Sequence, residues 1–188
     1  MRPLAVALTG GVAAGKSEAL QAFARHGAAT VSSDEIVHEL YRTDEDLRAA
    51  LRERWGDGVF SGGEVDRAAI GRIVFADRDE LTWLEDELHP RVRAATADWL
   101  ARQTAEVVVA EIPLLYETGA ESRFDKVVVI TAPTDVRVER RGELTDREAR
   151  LVPEEEKVRR ADFAYVNDGT LEELDAWVAG VLEELTRR

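Results

Sequence analysis

Apolar positions along the chain alternate between two patterns. Leu4-Ala5-Val6-Ala7-Leu8 is an unbroken apolar run, and similar short runs recur at 28–31, 107–110, 127–131 and 163–166. Runs of this length bounded by turn residues read as strands buried on both faces. Between them, apolar residues fall three and four apart, the helical spacing. Leu20, Phe23 and Ala24 follow the first run, and Gly27 stands where a helix stops. Val37, Leu40 and Tyr41 suit a second helix, and Leu47, Leu51 and Trp55 a third, broken by Gly56-Asp57-Gly58. Segments 67–75 and 81–100 predict further helices, with Pro90 marking a boundary or kink. Ser61-Gly62-Gly63-Glu64 reads as a turn. Leu171, Leu174, Val178, Val181 and Leu185 give a closing helix, with Thr170 and Glu173 as its capping box. Strands alternating with helices predict an α/β fold whose parallel sheet is covered on both faces. No strong strand interrupts residues 36–104, which reads as a helical excursion between the second and third strands. Within it Trp55 and Trp83, and Trp99 also, suit packing. On residues alone, His89-Pro90 is a packed corner with no assigned role.

Bulk composition narrows the partners. At 188 residues the chain is one domain, long enough for a real core. Against 25 Lys and Arg stand 38 Asp and Glu, a net charge of −13. That argues against nucleic acid as a partner and requires any phosphate site to be locally basic. Cysteine is absent, so a disulfide framework and a zinc-thiolate site are excluded. The first residues run straight into a strand, without a signal-peptide pattern, and no apolar run approaches the roughly 18 residues of a membrane helix. A cytoplasmic location is expected, with no membrane partner.

The candidate chemistry begins where the first strand ends. Thr9-Gly10-Gly11-Val12-Ala13-Ala14-Gly15-Lys16-Ser17 fits G-x-x-x-x-G-K-[ST] at Gly10, Gly15, Lys16 and Ser17. Strand, glycine loop and helix follow in the order this motif needs. Glycines let backbone N–H groups approach crowded phosphates, and the helix N-terminus adds positive potential. Lys16 would bridge the outer phosphates, and the Ser17 hydroxyl would join the shell of a Mg²⁺ ion. A glycine turn that binds nothing is the plain alternative.

Further acids and arginines fall at the predicted strand ends. Asp34, in Ser32-Ser33-Asp34-Glu35, is either a carboxylate that orients or deprotonates a substrate hydroxyl or a simple helix cap. Glu111 closes the apolar run at 107–110, as a Walker B acid near Mg²⁺ would, or is a solvent-exposed strand end. Residues 137–160 concentrate Arg137, Arg140, Arg141, Arg147, Arg150, Lys157, Arg159 and Arg160 among acids. Such a stretch can be an arginine-bearing lid of a small kinase or a solvated helix with Glu–Arg pairs.

Taken in order, these residues resemble the dephospho-CoA kinase family. The likeness runs through Ala7-Leu8-Thr9-Gly10-Gly11, Gly15-Lys16-Ser17, Asp34, Asp66-Arg67, Val74-Phe75, Leu84-Glu85 and His89-Pro90. It continues in Glu111-Ile112-Pro113-Leu114-Leu115 with Glu117, Pro153 with Glu155-Glu156-Lys157, Ala161-Asp162, and Asn167 with Gly169. The resemblance implies a three-layer αβα P-loop kinase. Its five-stranded parallel sheet would run 2-3-1-4-5, with a helical CoA-binding excursion at about 36–104 and a short lid at about 137–160. It implies transfer of the ATP γ-phosphoryl group to the 3′-hydroxyl of dephospho-CoA. Gly11, Val12, Ala13, Ala14, Gly15, Lys16 and Ser17 would hold ATP, Asn167 would meet its adenine, and Ser17 and Glu111 would serve Mg²⁺. Lys16, Asp34 and Arg140 become the catalytic group, and Asp34, His89 and Leu115 the acceptor-side residues. ATP and dephospho-CoA are then the partners, and a monomer is expected without excluding oligomers. Three departures stand out: one carboxylate where the family has Asp-x-Asp, Glu18 in place of a threonine, and a shorter lid. A kinase for another small acceptor, such as a nucleoside monophosphate, is the nearest rival. A GTPase switch is disfavoured because no Asn-Lys-x-Asp signature follows a late strand. A binding module without catalysis sits poorly with intact Lys16, Ser17 and Asp34.

Overall fold

The computed structural model describes residues 2–141 and 151–187. The chain divides into two compact units, Met1–Ser32 with Leu100–Arg188, and Ser33–Trp99. The first unit is built on five parallel strands. They are β1 (Leu4–Gly10), β2 (Ala29–Ser32), β5 (Val107–Glu111), β6 (Lys126–Thr131) and β7 (Phe163–Val166). Their order is β2-β5-β1-β6-β7. With the two short strands of the second unit set aside, this is the expected 2-3-1-4-5. Successive residues of β1 and β6 point to opposite faces. Val6 and Leu8 with Val128 and Ile130 enter one apolar cluster. Ala7, Val127 and Val129 enter another. Helices α1 (Lys16–Arg25) and α8 (Leu171–Thr186) cover the first face through Leu20, Phe23, Leu174 and Val178. The second face is covered by Leu115, Tyr116 and Ala120 of the connection after β5, joined by Val152 and Ala161. Strands so covered need the near-continuous apolar runs that the sequence shows. Thr170 accepts from the Glu173 N–H while Glu173 returns to the Thr170 N–H, so α8 begins at the expected capping box.

The second unit packs around an apolar cluster of its own. Helices α2 (Ser33–Thr43), α3 (Glu45–Trp55), α4 (Arg67–Ala76) and α5 (Arg78–Arg102) follow in order, α5 running on into the first unit. Leu47, Leu51, Val59, Ile70 and Leu84 are buried together, with Trp55 and Trp83 packed against them. Those two indoles meet edge to face at 5.0 Å, which bears out the packing role expected of them. The structure corrects the sequence reading at one point here and decides it at another. The turn at 61–64 closes a short antiparallel hairpin, β3 (Phe60–Ser61) and β4 (Glu64–Val65), within the block expected to be helical. Pro90, read as a boundary or a kink, lies inside α5, which rules out the boundary. A missing N–H costs one intrahelical bond, and flanking turns carry the helix past it. Among the described residues no helix is long and apolar enough to cross a membrane.

The stretch expected as a lid, about 137–160, holds most of helix α6 (Thr134–Arg141) and all of α7 (Glu154–Arg160). Arg147 and Arg150, along with the Gly142-Glu143-Leu144 stretch of the shortened lid, lie outside the described residues.

Candidate active site

β1 delivers the chain into the glycine loop at the C-terminal end of the sheet. The backbone turns through residues 11–15 and enters α1 at Lys16. Gly15 caps that helix with φ 98°, a left-handed conformation that glycine adopts without strain. No side chain caps α1. A helix start of this kind, preceded by a glycine loop, is suited to an anion. Lys16 Nζ donates to the Gly11 carbonyl at 2.9 Å, folding the ammonium back over the loop. Ser17 is exposed in the first helical turn.

Two sets of side chains brace this loop. Asn167, directly after β7, is 4% exposed, and its Nδ2 donates to the Ala14 carbonyl at 2.8 Å. Its amide presses so closely on Gly15 that a Cβ there would collide with Nδ2. Arg140 of α6 reaches the same place. Its Nη2 donates to the Asn167 carbonyl at 3.2 Å and its Nη1 to the Ala13 carbonyl at 3.4 Å. On the other flank, Glu154 accepts from Arg137 Nη1 at 2.9 Å and from the Thr131 hydroxyl. A Cβ on Gly11 would run into both Glu154 and Arg137. Sequence reasoning named Arg140 and Asn167 but gave Arg137 and Glu154 no individual part. The available signal was that Arg137 precedes Arg140 by three residues, which places both on one helix face.

The remaining expected residues are placed as follows. Glu111 ends β5 in register with Leu8 of β1 and Ser32 of β2, one strand away from the glycine loop's own strand. Leu115 is fully buried and packs under the second face of the sheet. Glu117, two residues on, pairs with the buried Lys157 at 2.8 Å, so the Ile-Pro-Leu-Leu-x-Glu and Glu-Glu-Lys segments meet as one ion pair. Beside it the Tyr116 hydroxyl, held above its usual pKa by burial, donates to the Lys157 carbonyl at 3.4 Å. In the second unit Asp34 is exposed in the first turn of α2, which starts at Ser33 directly after β2, without the intervening loop that the sequence suggested. His89 is half-buried on α5.

A parallel sheet of this order, with a glycine loop at the end of its central strand closing onto a Lys-Ser helix start, defines a P-loop protein of the kinase class. The chain matches the family model described as dephospho-CoA kinase over residues 4–173. It is 40% identical to the dephospho-CoA kinase of Mesorhizobium japonicum, covering 97% of this chain and 96% of the relative. It is 38% identical to that of Thermobifida fusca, covering 98% of each. Among solved structures, TT1252 from Thermus thermophilus superposes with a TM-score of 0.78 at 34% identity, over the full length of both chains. The chain belongs to the dephospho-CoA kinase family, and membership makes it an ATP-dependent kinase of coenzyme A biosynthesis.

Proposed function

We propose that the chain moves the ATP γ-phosphoryl group to the ribose 3′-hydroxyl of dephospho-CoA, giving CoA and ADP, with the residues of the glycine loop as its ATP site. The observation that carries the site assignment is the loop itself: a helix start without a side-chain cap, Lys16 folded over Gly11, and two arginines drawn in around an otherwise acidic protein. The acceptor oxygen attacks phosphorus, the bond to the β-phosphate oxygen breaks, and the hydroxyl proton leaves through a carboxylate. Asp34 is that carboxylate in this reading. It stands two residues beyond Ser32. Lys16 and Arg140 offset charge on the transferring group, and catalysis is mainly positioning and electrostatics.

Gly11 to Ser17 cradle the phosphates, and Asn167 supports the nucleotide by holding the loop at Ala14. His89 shapes the acceptor site, and Leu115 serves it through the connection it anchors in the core. Ser17 and Glu111 supply hard oxygen donors, few in number. This suits Mg²⁺, which keeps several waters and relies on phosphates for its other ligands. They are the residues that would hold the ion, and it would neutralise charge shared by the outer phosphates. We further read the protein as a cytoplasmic monomer with no nucleic-acid or membrane partner. An acceptor panel tests the reaction: ADP release should follow dephospho-CoA far faster than AMP or other nucleoside monophosphates. Release of ADP with a nucleoside monophosphate but not with dephospho-CoA rejects the proposal.

A further inference from the structure

Arg137 is 9% exposed, a costly place for a guanidinium unless it is paired. Its Nη1 donates to Glu154 at 2.9 Å, and Glu154 also takes the Thr131 hydroxyl. Both charged side chains lie against the Cα of Gly11, the residue whose carbonyl holds Lys16. A carboxylate at that spot is at odds with the loop's chemistry, because a lone negative charge there opposes any incoming triphosphate. Matched by Arg137, it is a neutral wedge that fixes the flank of the loop by shape alone.

We propose that Arg137 is a positioning residue for phosphoryl transfer: acting through Glu154, it holds the first residue of α7 against Gly11 while cancelling a carboxylate that would otherwise repel ATP. This rests on the reading of residues 11–17 as the ATP site. The idea has a consequence that neither a direct phosphate contact nor a purely structural role shares. Removing Arg137 alone exposes the carboxylate, and neutralising Glu154 as well removes the repulsion.

The test is steady-state kinetics with ATP varied at saturating dephospho-CoA, on wild type, Arg137→Met, Glu154→Gln and the double variant, with thermal melts alongside. Arg137→Met should raise KM for ATP about tenfold or more. Glu154→Gln should stay within about threefold of wild type, because the glutamine carbonyl still accepts from Arg137 and its amide N–H can donate to the Thr131 hydroxyl, which turns from donor to acceptor. The double variant should recover most of the loss, and KM for dephospho-CoA should hardly move throughout. A double variant as impaired as Arg137→Met would mean that Arg137 touches the phosphates itself, which overturns the proposal. An unchanged KM for ATP in Arg137→Met, with only a lowered melting temperature, overturns it too. Should Arg137→Met fail to fold, Thr131→Val serves instead. It removes one donor to Glu154 and should raise KM for ATP about threefold, an effect that Glu154→Gln erases; no rise counts against the proposal. Lys16→Ala in the same assay separates the two levels. Normal turnover there defeats the ATP-site reading itself, whereas a crippled Lys16→Ala beside a normal Arg137→Met defeats this inference alone.

Discussion

The two ends of the parallel sheet use charge in opposite ways. At the N-terminal end, carboxylates are spent on the fold. Asp125 receives the Arg2 guanidinium at 2.5 and 2.8 Å and the Ala5 N–H at 2.9 Å. The bond from Arg2 above all, with help from Ala5, holds its carboxyl below the ordinary value despite partial burial. Asp162 receives Lys126 Nζ at 2.7 Å and the Val127 N–H at 2.8 Å. Partial burial pushes its carboxyl up, and these two bonds outweigh that. Each acid stands one residue before a strand, and each pins that strand's start to a neighbour. At the C-terminal end the glycine loop leads into a helix start that no side chain caps, and the acid against Gly11 is paired with an arginine. Groups paired with one another make a rigid end, and a loop shaped for an anion makes a reactive one.

Substitutions at the reactive end should act on turnover and nucleotide affinity. Lys16→Ala should cost about a hundredfold or more in turnover with the far-ultraviolet spectrum unchanged, in an assay coupled to ADP release. Asp34→Asn should lower kcat by about a hundredfold while KM for ATP stays near normal; equal losses in both would move Asp34 to the nucleotide side. Asn167→Ala should raise KM for ATP about tenfold, because the Ala14 carbonyl loses its buried donor and Gly15 its support. The rigid end should respond in stability alone. Asp125→Asn should leave kcat intact and cost about 1 kcal/mol in urea unfolding at neutral pH, a figure kept small by solvent access. Because the folded carboxyl lies below its ordinary 3.8, its stabilisation is present above that value and fades as pH falls through the lower folded one. The gap between Asp125→Asn and wild type should therefore close in acid, and a gap that persists there would mean that shape rather than charge pins the strand.

The sequence displays the reactive end more openly than its supports. Gly10 to Ser17 is one contiguous stretch, so the loop, its strand and its helix can be read locally. The sheet order needed the family resemblance, since apolar runs state that strands exist and not which ones pair. Asn167 and Ala14, or Glu154 and Gly11, become neighbours only through the sheet, and no local spacing announces them. The hairpin at Phe60–Ser61 and Glu64–Val65 escaped notice because two residues per strand carry no period. Pro90 left a boundary and a kink both open to a local reading, and its place inside α5 decides against the boundary.

Hydrogen–deuterium exchange with and without MgATP tests the contrast between the two ends most directly. The account predicts that added nucleotide slows exchange in residues 11–17 and in the segment around Asn167, and leaves Asp125–Lys126–Val127 and the start of β1 as they were. Slowed exchange at those strand starts, with the glycine loop unaffected, would contradict it.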